Sequence, residues 1–495
     1  MINLVLALYL IFISGLLFYT THAYLMIYYY FWGNRNVKRK RRKIEEYPVV
    51  TVQLPIYNER YVVERLVRSV CGLKYPKDKL EIQVLDDSTD DTTEILKSLV
   101  EEYRGKGFDI KLLHRDEREG YKAGALREGL KTAKGEYVAI FDADFIVPSD
   151  FLLRTLPYFT EGVAAVQGRW GHINDKYSPV TQAQAVALDG HFYIEQQVRN
   201  KNGFFIIFNG TGGIWLKRAI YDAGNWHTDS LTEDLDLSYR AQLRGWKIIF
   251  LPDLVCPSEV PVDINGFKAQ QYRWAKGTVQ SAKKLLKRVF SSPLRPAIKY
   301  EAFIHLTNHF AYPMLLGLAI LLLPLLIIKI QFEYRTYFII ASFFTIAVFA
   351  YPIMYSIAQR ALYPDWKRRS LYILFILAFG MGLSVSLTCA VFEGLLGKPS
   401  EFVRTPKFGI EKKTDTLRKK RYRHKLTAST FAELIMTLYL LGTTFYAIET
   451  WQLLLVPFLL LYTVGFGYLS FGSIYQVWLE RWTAFQVEYG RPQAA

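Results

Sequence analysis

Cysteine is scarce: Cys71, Cys256 and Cys389 are the three in a chain of 495 residues. They stand far apart, so neither a disulfide framework nor a cysteine metal-ligand spacing follows, and each reads as a buried thiol. No internal repeat and no low-complexity linker divides the chain. Residues 1–32 lack a basic leading region and a small-residue cleavage site. That stretch therefore reads as a membrane anchor and not as a cleaved signal peptide. Acidic residues are outnumbered, 45 against 61 Lys and Arg, for a net charge of +16. The excess is local. Arg35, Lys38, Arg39, Lys40, Arg41, Arg42 and Lys43 follow the first apolar stretch, and a second basic run covers 404–425. Both runs flank apolar segments, where the positive-inside rule explains them without a nucleic-acid partner.

What is abundant is apolar. Hydrophobic residues make up 51% and aromatics 16%, and they are segregated. Segments near 3–31, 301–329, 336–357, 371–396, 427–449 and 452–479 each reach the length of about 20 residues that spans a bilayer. The middle, 45–290, is mixed in polarity. The chain reads as an integral membrane protein with a soluble domain inserted after its first span. The first basic run places residues 33–300 in the cytoplasm and the N-terminus outside.

Within the soluble domain, strands are expected at 49–55, 80–85, 110–114 and 137–141. Helices are expected at 60–72, 92–103 and 121–132. Strands alternating with helices mean a doubly wound, mostly parallel sheet, where ligands bind beyond the carboxyl ends of the strands. Two acid pairs fall at such ends, Asp86-Asp87 and Asp142-x-Asp144. A third acidic group, Thr232-Glu233-Asp234, opens an amphipathic helix capped by Gly245 and followed by a strand at 246–251. Capping would explain one or two acids at a helix start. It does not predict carboxylates at three such places, which together suggest one acidic site. The close pair Asp142 and Asp144 would repel unless a positive charge sat between them. A hard divalent cation, Mg2+ or Mn2+, suits oxygen ligands and can hold a diphosphate leaving group. Asp86-Asp87 reads either as an Asx turn or as a contact to a nucleotide base or ribose. Lys122 starts a helix beside these strand ends, as a solvated lysine or as a phosphate contact. Asn209-Gly210-Thr211-Gly212-Gly213 is either a bend or a surface that lets a sugar approach the backbone.

Residues 266–290 read as an amphipathic helix at the membrane surface. Phe267, Trp274, Val279, Ala282, Leu286 and Val289 supply its apolar side. Lys276, Lys283, Lys284, Lys287 and Arg288 supply a cationic face. The helix carries Gln270-Gln271-Tyr272-Arg273-Trp274. Trp274 and Arg273 read equally as interfacial anchors or as a sugar platform and a diphosphate clamp.

Taken in order, Asp86-Asp87, Asp142-x-Asp144, Thr232-Glu233-Asp234 and Gln270-x-x-Arg273-Trp274 resemble the membrane-embedded family 2 inverting glycosyltransferases, the cellulose-synthase-like group. The stretches LDDSTD, GYKAGAL, IFDADF, FNGTGGIW and QQYRW are closest in wording to plant mannan and glucomannan synthases and their bacterial relatives. The resemblance covers 45–290 strongly and the membrane part more loosely. It implies an α/β GT-A fold over 45–260, with the interface helix in 261–300. It implies that Asp86 or Asp87 binds the nucleotide, that Asp142 and Asp144 serve nucleotide and metal, and that Lys122 contacts the diphosphate. Asp234, with Glu233 beside it, would be the general base. Arg273 would hold the diphosphate, while Gln270, Trp274, Asn209 and Gly210 would face the acceptor glycan. The donor would be a nucleotide sugar, UDP-glucose or GDP-mannose, and the acceptor a growing polysaccharide.

The positive-inside rule leaves a puzzle beyond 301–357. If 371–396 crossed, the basic 398–425 would lie outside. We therefore expect 371–396 to lie as an interfacial or re-entrant helix, within a unit 358–426, giving five spans with 427–480 and a cytoplasmic tail 481–495. A cysteine in 398–425 that labelled only from the far side would overturn this. The family has a gating loop F-x-V-T-x-K after such a helix. It is similar to Phe402-Val403-Arg404-Thr405-Pro406-Lys407, with Arg404 in the valine place. His305, Asn308, His309 and Tyr312 begin the second span, either as interfacial polar residues or as a lining for an emerging glycan. Two other functions compete: a single-transfer enzyme that forms a glycolipid, and a non-enzymatic membrane transporter.

Overall fold

The structure, a computed structural model, describes residues 2–33, 40–331, 344–415 and 425–489. The start of the first basic run, residues 336–343 of the expected third span, 416–424 and the last residues of the tail lie outside the described residues.

Seven strands form one sheet in the order β3-β2-β1-β4-β6-β5-β7. They are β1 (Val50–Ile56), β2 (Leu80–Asp86), β3 (Asp109–His114), β4 (Tyr137–Ile140), β5 (Val163–His172), β6 (Gly213–Leu216) and β7 (Lys247–Ser258). The β3-β2-β1-β4 half is parallel, β6 runs antiparallel between β4 and β5, and β7 is parallel to β5. Strand β7 continues past the expected 246–251 because it pairs with β5 as far as His172–Ser258, through a register shift.

The central strands are buried on both faces, as helices on either side of a parallel sheet require. Side chains alternate across β4: Tyr137 and Ala139 join one core with Val52, Ile82 and Leu96, while Val138 and Ile140 join another with Leu126 and Trp215. This topology points the carboxyl ends of β1, β2, β4, β5 and β7 at one edge.

The interface helix runs Ile264–Ser291, started by Asp263, whose carboxylate accepts the amide of Gly266 at 2.6 Å. Its expected cationic face holds at Lys283, Lys287 and Arg288, which are exposed, and is corrected at Lys276. Lys276 is fully buried and paired with Glu393 at 2.8 Å, and Lys268 is paired with the buried Glu433 at 2.6 Å. Lys284 bonds to Asp229 and His227. Basic residues at helical spacing do not all face solvent when a neighbouring helix supplies carboxylates.

Four helical stretches among the described residues are long and apolar enough to cross a membrane: Ile2–Trp32, Pro296–Gln331, Ala428–Glu449 and Val456–Trp482. The pair Trp366–Gly382 and Ser384–Leu396 meets at a 50° bend, which fits a broken span or a re-entrant segment.

Candidate active site

The strand ends, the helix Glu233–Leu243 and the interface helix enclose a cavity of about 180 Å3. Lys122, Asp142, Asp144, Asn209, Gly210, Glu233, Asp234, Gln270, Arg273, Trp274, Phe402, Thr405 and Lys407 all line it, as does Asp87.

Asp86 is the exception. It is fully buried, and its carboxylate is consumed by His114 Nδ1 (2.8 Å), the Thr93 hydroxyl (2.7 Å) and the Ser88 amide (3.0 Å). Neighbouring residues at a strand end point oppositely, so only one of the pair reaches the cavity. That one is Asp87, held by two guanidinium bonds from Arg115 at 2.7 and 2.6 Å.

The two carboxylates after β4 each meet an ammonium group of the chain. Lys122 donates to Asp142 and to the Gly210 carbonyl at 3.0 Å. Lys407 donates to Asp144 at 2.9 Å and to the Glu259 carbonyl at 2.6 Å. Burial lowers the Lys122 pKa, and Asp142, Glu233 and Asp234 outweigh that and raise it. The donor set here is carboxylate oxygen, and the fold itself places positive charge on both aspartates. Carboxylate oxygens suit a hard divalent cation, and here two lysines already supply the positive charge that the close acid pair requires.

Thr232 makes no side-chain cap to the helix it precedes, so the acids there are not explained as a capping box. Glu233 is buried. Asp234 accepts the amide of Leu235 at 2.8 Å, while burial and the neighbouring Glu233 push its pKa up to about 7. Gly210 has φ +76°, and a Cβ there would stand 3.1 Å from the Asp234 carboxylate and 3.4 Å from the Lys122 ammonium. Glycine is therefore required by both backbone conformation and close approach.

Arg273 enters from the interface helix. Burial lowers its pKa against the pull of Glu233, Asp234 and Asp142, and its Nε is buried without a hydrogen-bond partner. An unpaired guanidinium nitrogen at a cavity lined by acids and lysines suits a doubly charged oxyanion.

The segment 402–410 is docked into this cavity. Phe402 stacks on Tyr121 at 5.8 Å and lies under the Arg273 guanidinium at 4.5 Å. Arg404 pairs with Glu59 at 2.7 Å, and the amides of Phe408 and Gly409 bind the Glu259 carboxylate at 2.9 Å each. Burial pushes Glu59 up to about 7 despite Arg404.

Glu59, Glu259, Arg115 and Arg118 were not singled out by sequence reasoning. Glu59 carried a usable signal, since it follows β1 at the same edge as the other acids. Arg118 lies 3.5 Å over the Tyr57 ring and also lines the cavity. It sits in a loop whose sequence, Asp116-Glu117-Arg118-Glu119, reads as ordinary solvated charge.

A second cavity of about 350 Å3 adjoins the first and shares Asn209, Asp234, Gln270 and Trp274 with it. His305, Asn308, His309 and Tyr312 line it, so these residues face a cavity. Elsewhere, His227, Asp229 and Asp236 bring ligand atoms together within 4.8 Å. Lys284 already bonds to all three, so that cluster is a structural ion network.

The model of "Glycosyl transferase family 2" matches residues 51–223. A glucomannan 4-beta-mannosyltransferase 7 of Arabidopsis thaliana is 33% identical over 86% of this chain and 77% of its own length. A glucomannan 4-beta-mannosyltransferase 1 of Cyamopsis tetragonoloba is 40% identical over 53% of this chain and 51% of its own length. The chain spans about half the length of the first curated relatives it matches. Among solved structures, the mannosyltransferase PcManGT from Pyrobaculum calidifontis in complex with GDP-Man and Mn2+ superposes with a TM-score of 0.53. Its sequence is 23% identical, and the match covers 81% of this chain and all of that one. This likeness shows a GT-A fold. With four ordered motifs, a mixed sheet of this topology and a relative matched over most of both chains, the protein belongs to glycosyl transferase family 2, in its membrane-embedded, cellulose-synthase-like group.

Proposed function

We propose that the protein is an inverting, metal-dependent hexosyltransferase that extends a β-linked glycan from a nucleotide-sugar donor. The observation that carries this is the meeting, at one cavity, of Asp142 and Asp144, the half-buried carboxylate of Asp234 and the unpaired Arg273 Nε. The shared name of the relatives, glucomannan 4-beta-mannosyltransferase, supports mannosyl transfer in a 4-β linkage. GDP-mannose, the donor bound in the PcManGT complex, is then the first candidate, with UDP-glucose as the competing donor.

In this reading Asp87 holds the nucleoside. Asp142 and Asp144 would hold Mg2+ or Mn2+, which neutralises the departing diphosphate when bound. Lys122 and Arg273 supply further fixed positive charge to the same leaving group. Asp234 removes the proton from an acceptor hydroxyl, which displaces the diphosphate at the anomeric carbon. A single displacement inverts that centre, so an α-linked donor gives a β-linkage. Trp274 offers its ring to the acceptor sugar. The adjoining cavity, with polar residues at the start of the span Pro296–Gln331, supports passage of the product towards the membrane.

The test is sugar incorporation by detergent-purified protein. GDP-mannose, UDP-glucose, UDP-N-acetylglucosamine and UDP-galactose are supplied separately with Mn2+ or Mg2+. High-molecular-weight glycan from GDP-mannose is expected, reduced by about 10²–10⁴-fold in Asp234→Asn, as loss of a general base predicts. Label confined to a lipid fraction would replace polymer synthesis with single transfer to a glycolipid. Failure of every donor would overturn the assignment.

A further inference from the structure

A third cavity, of about 530 Å3, lies apart from the two already described and plays no part in the chemistry above. Its charged lining is unbalanced: Arg41, Arg154 and Lys201 against one carboxylate, Asp253. The arginines are held in place. Arg41 lies 4.9 Å over the Tyr158 ring, and Arg154 donates to the Asp253 carbonyl at 2.8 Å.

Two observations set this pocket at the membrane boundary. Its wall includes Tyr193, whose ring packs 6.2 Å from that of Tyr30 in the first span. Tyr30 belongs to the run Tyr28–Trp32, the aromatic belt that marks a bilayer interface. The basic run after that span is also not simply solvated. The Arg42 amide donates to the Pro157 carbonyl at 2.8 Å, and its guanidinium donates to the Tyr137 hydroxyl at 2.8 Å. Docking of Arg42 on the catalytic domain presents Arg41 to the cavity beside it. Positive-inside topology accounts for cations near a span. It does not account for their convergence on one cavity with a residue of the catalytic domain, Arg154.

We propose that this cavity binds the phosphate headgroup of an anionic phospholipid from the adjacent leaflet. Guanidinium groups suit phosphate oxygens, and the position beside the aromatic belt is where headgroups lie. The bound lipid would bridge the first span and the catalytic domain.

The full chain in phosphatidylcholine nanodiscs containing a minority of phosphatidylglycerol tests this, with bound lipid read by native mass spectrometry. Wild type is expected to retain phosphatidylglycerol in preference to phosphatidylcholine. Arg154→Gln with Lys201→Gln is expected to retain it about thirtyfold less, at the usual strength of two surface cations. Equal retention of both lipids by wild type, or undiminished retention by the variant, would overturn the proposal. Displacement of the lipid by inorganic phosphate alone would overturn it in favour of a free anion. If the double variant melts below wild type, Arg41→Gln is read instead, with about a fivefold loss expected.

Discussion

Asp234 shows what the site asks of a single residue. Burial and Glu233 push its pKa up to about 7, so it is protonated below that value and free to take a proton only above it. Glycan transfer by the Mn2+-loaded protein is thus expected to fall as pH drops, read from kcat/KM against pH. Bound Mn2+ should move that limb lower by adding positive charge nearby. The same shift has an opposite consequence for stability. A raised carboxyl pKa costs stability above about 7 and nothing below about 4, where folded and unfolded forms are both protonated. Asp234→Asn should therefore melt higher than wild type at pH 8, and the difference should vanish near pH 4. At Gly210, alanine adds a Cβ 3.1 Å from that carboxylate at φ +76°. Gly210→Ala should lower kcat by an order of magnitude or more and cost about 1–2 kcal/mol of stability, measured by turnover and melting. The placement of site residues was legible where an acid ended a buried strand, as with Asp142 and Asp144, which both line the cavity. It was not legible at Asp86 and Asp87, because which of two adjacent side chains faces the cavity depends on strand register. Nor was it legible at Arg118 or Glu259, whose partners are distant in sequence.

Among elements, the interface helix Ile264–Ser291 departs most from its sequence pattern. Its periodicity identified the helix, and the family resemblance implied that Gln270, Arg273 and Trp274 belong to the site; all three line the cavity. The pattern could not reveal that Lys268 and Lys276 are buried, because their carboxylate partners lie in helices more than 100 residues later. Glu433 is fully buried, so Lys268→Met strands its charge. Removing one partner of a buried pair costs about 3–5 kcal/mol, whereas replacing both is often neutral. Lys268→Met is therefore expected to lower the melting temperature sharply, and Lys268→Met with Glu433→Met to recover most of it. Likewise the docked segment 402–410 was legible as a motif, but its seat on Glu59 and Glu259 was not. Phe402→Ala should remove the stack on Tyr121 and raise the protease sensitivity of that segment.

For the whole molecule, the segregation of apolar segments from a mixed middle anticipated a sheet-bearing middle flanked by long apolar helices. The fold class followed from alternating strands and helices. The antiparallel strand β6 was not foreseen, since a glycine-rich approach hides a strand of four residues. At this scale metal dependence is the direct test: EDTA should abolish glycan synthesis, and Mn2+ or Mg2+ should restore it, while the Asp144→Ala variant should not recover. The buried pairs Lys268–Glu433 and Lys276–Glu393 also limit how the protein can be dissected. A fragment ending near residue 290 keeps both lysines and loses both carboxylates. It also loses the segment 402–410 that satisfies Glu259. Such a fragment would be a poor stand-in for crystallography or inhibitor screening, however complete its catalytic motifs look on paper. Work on isolated pieces would have to graft the missing acids back or neutralise the lysines that depend on them.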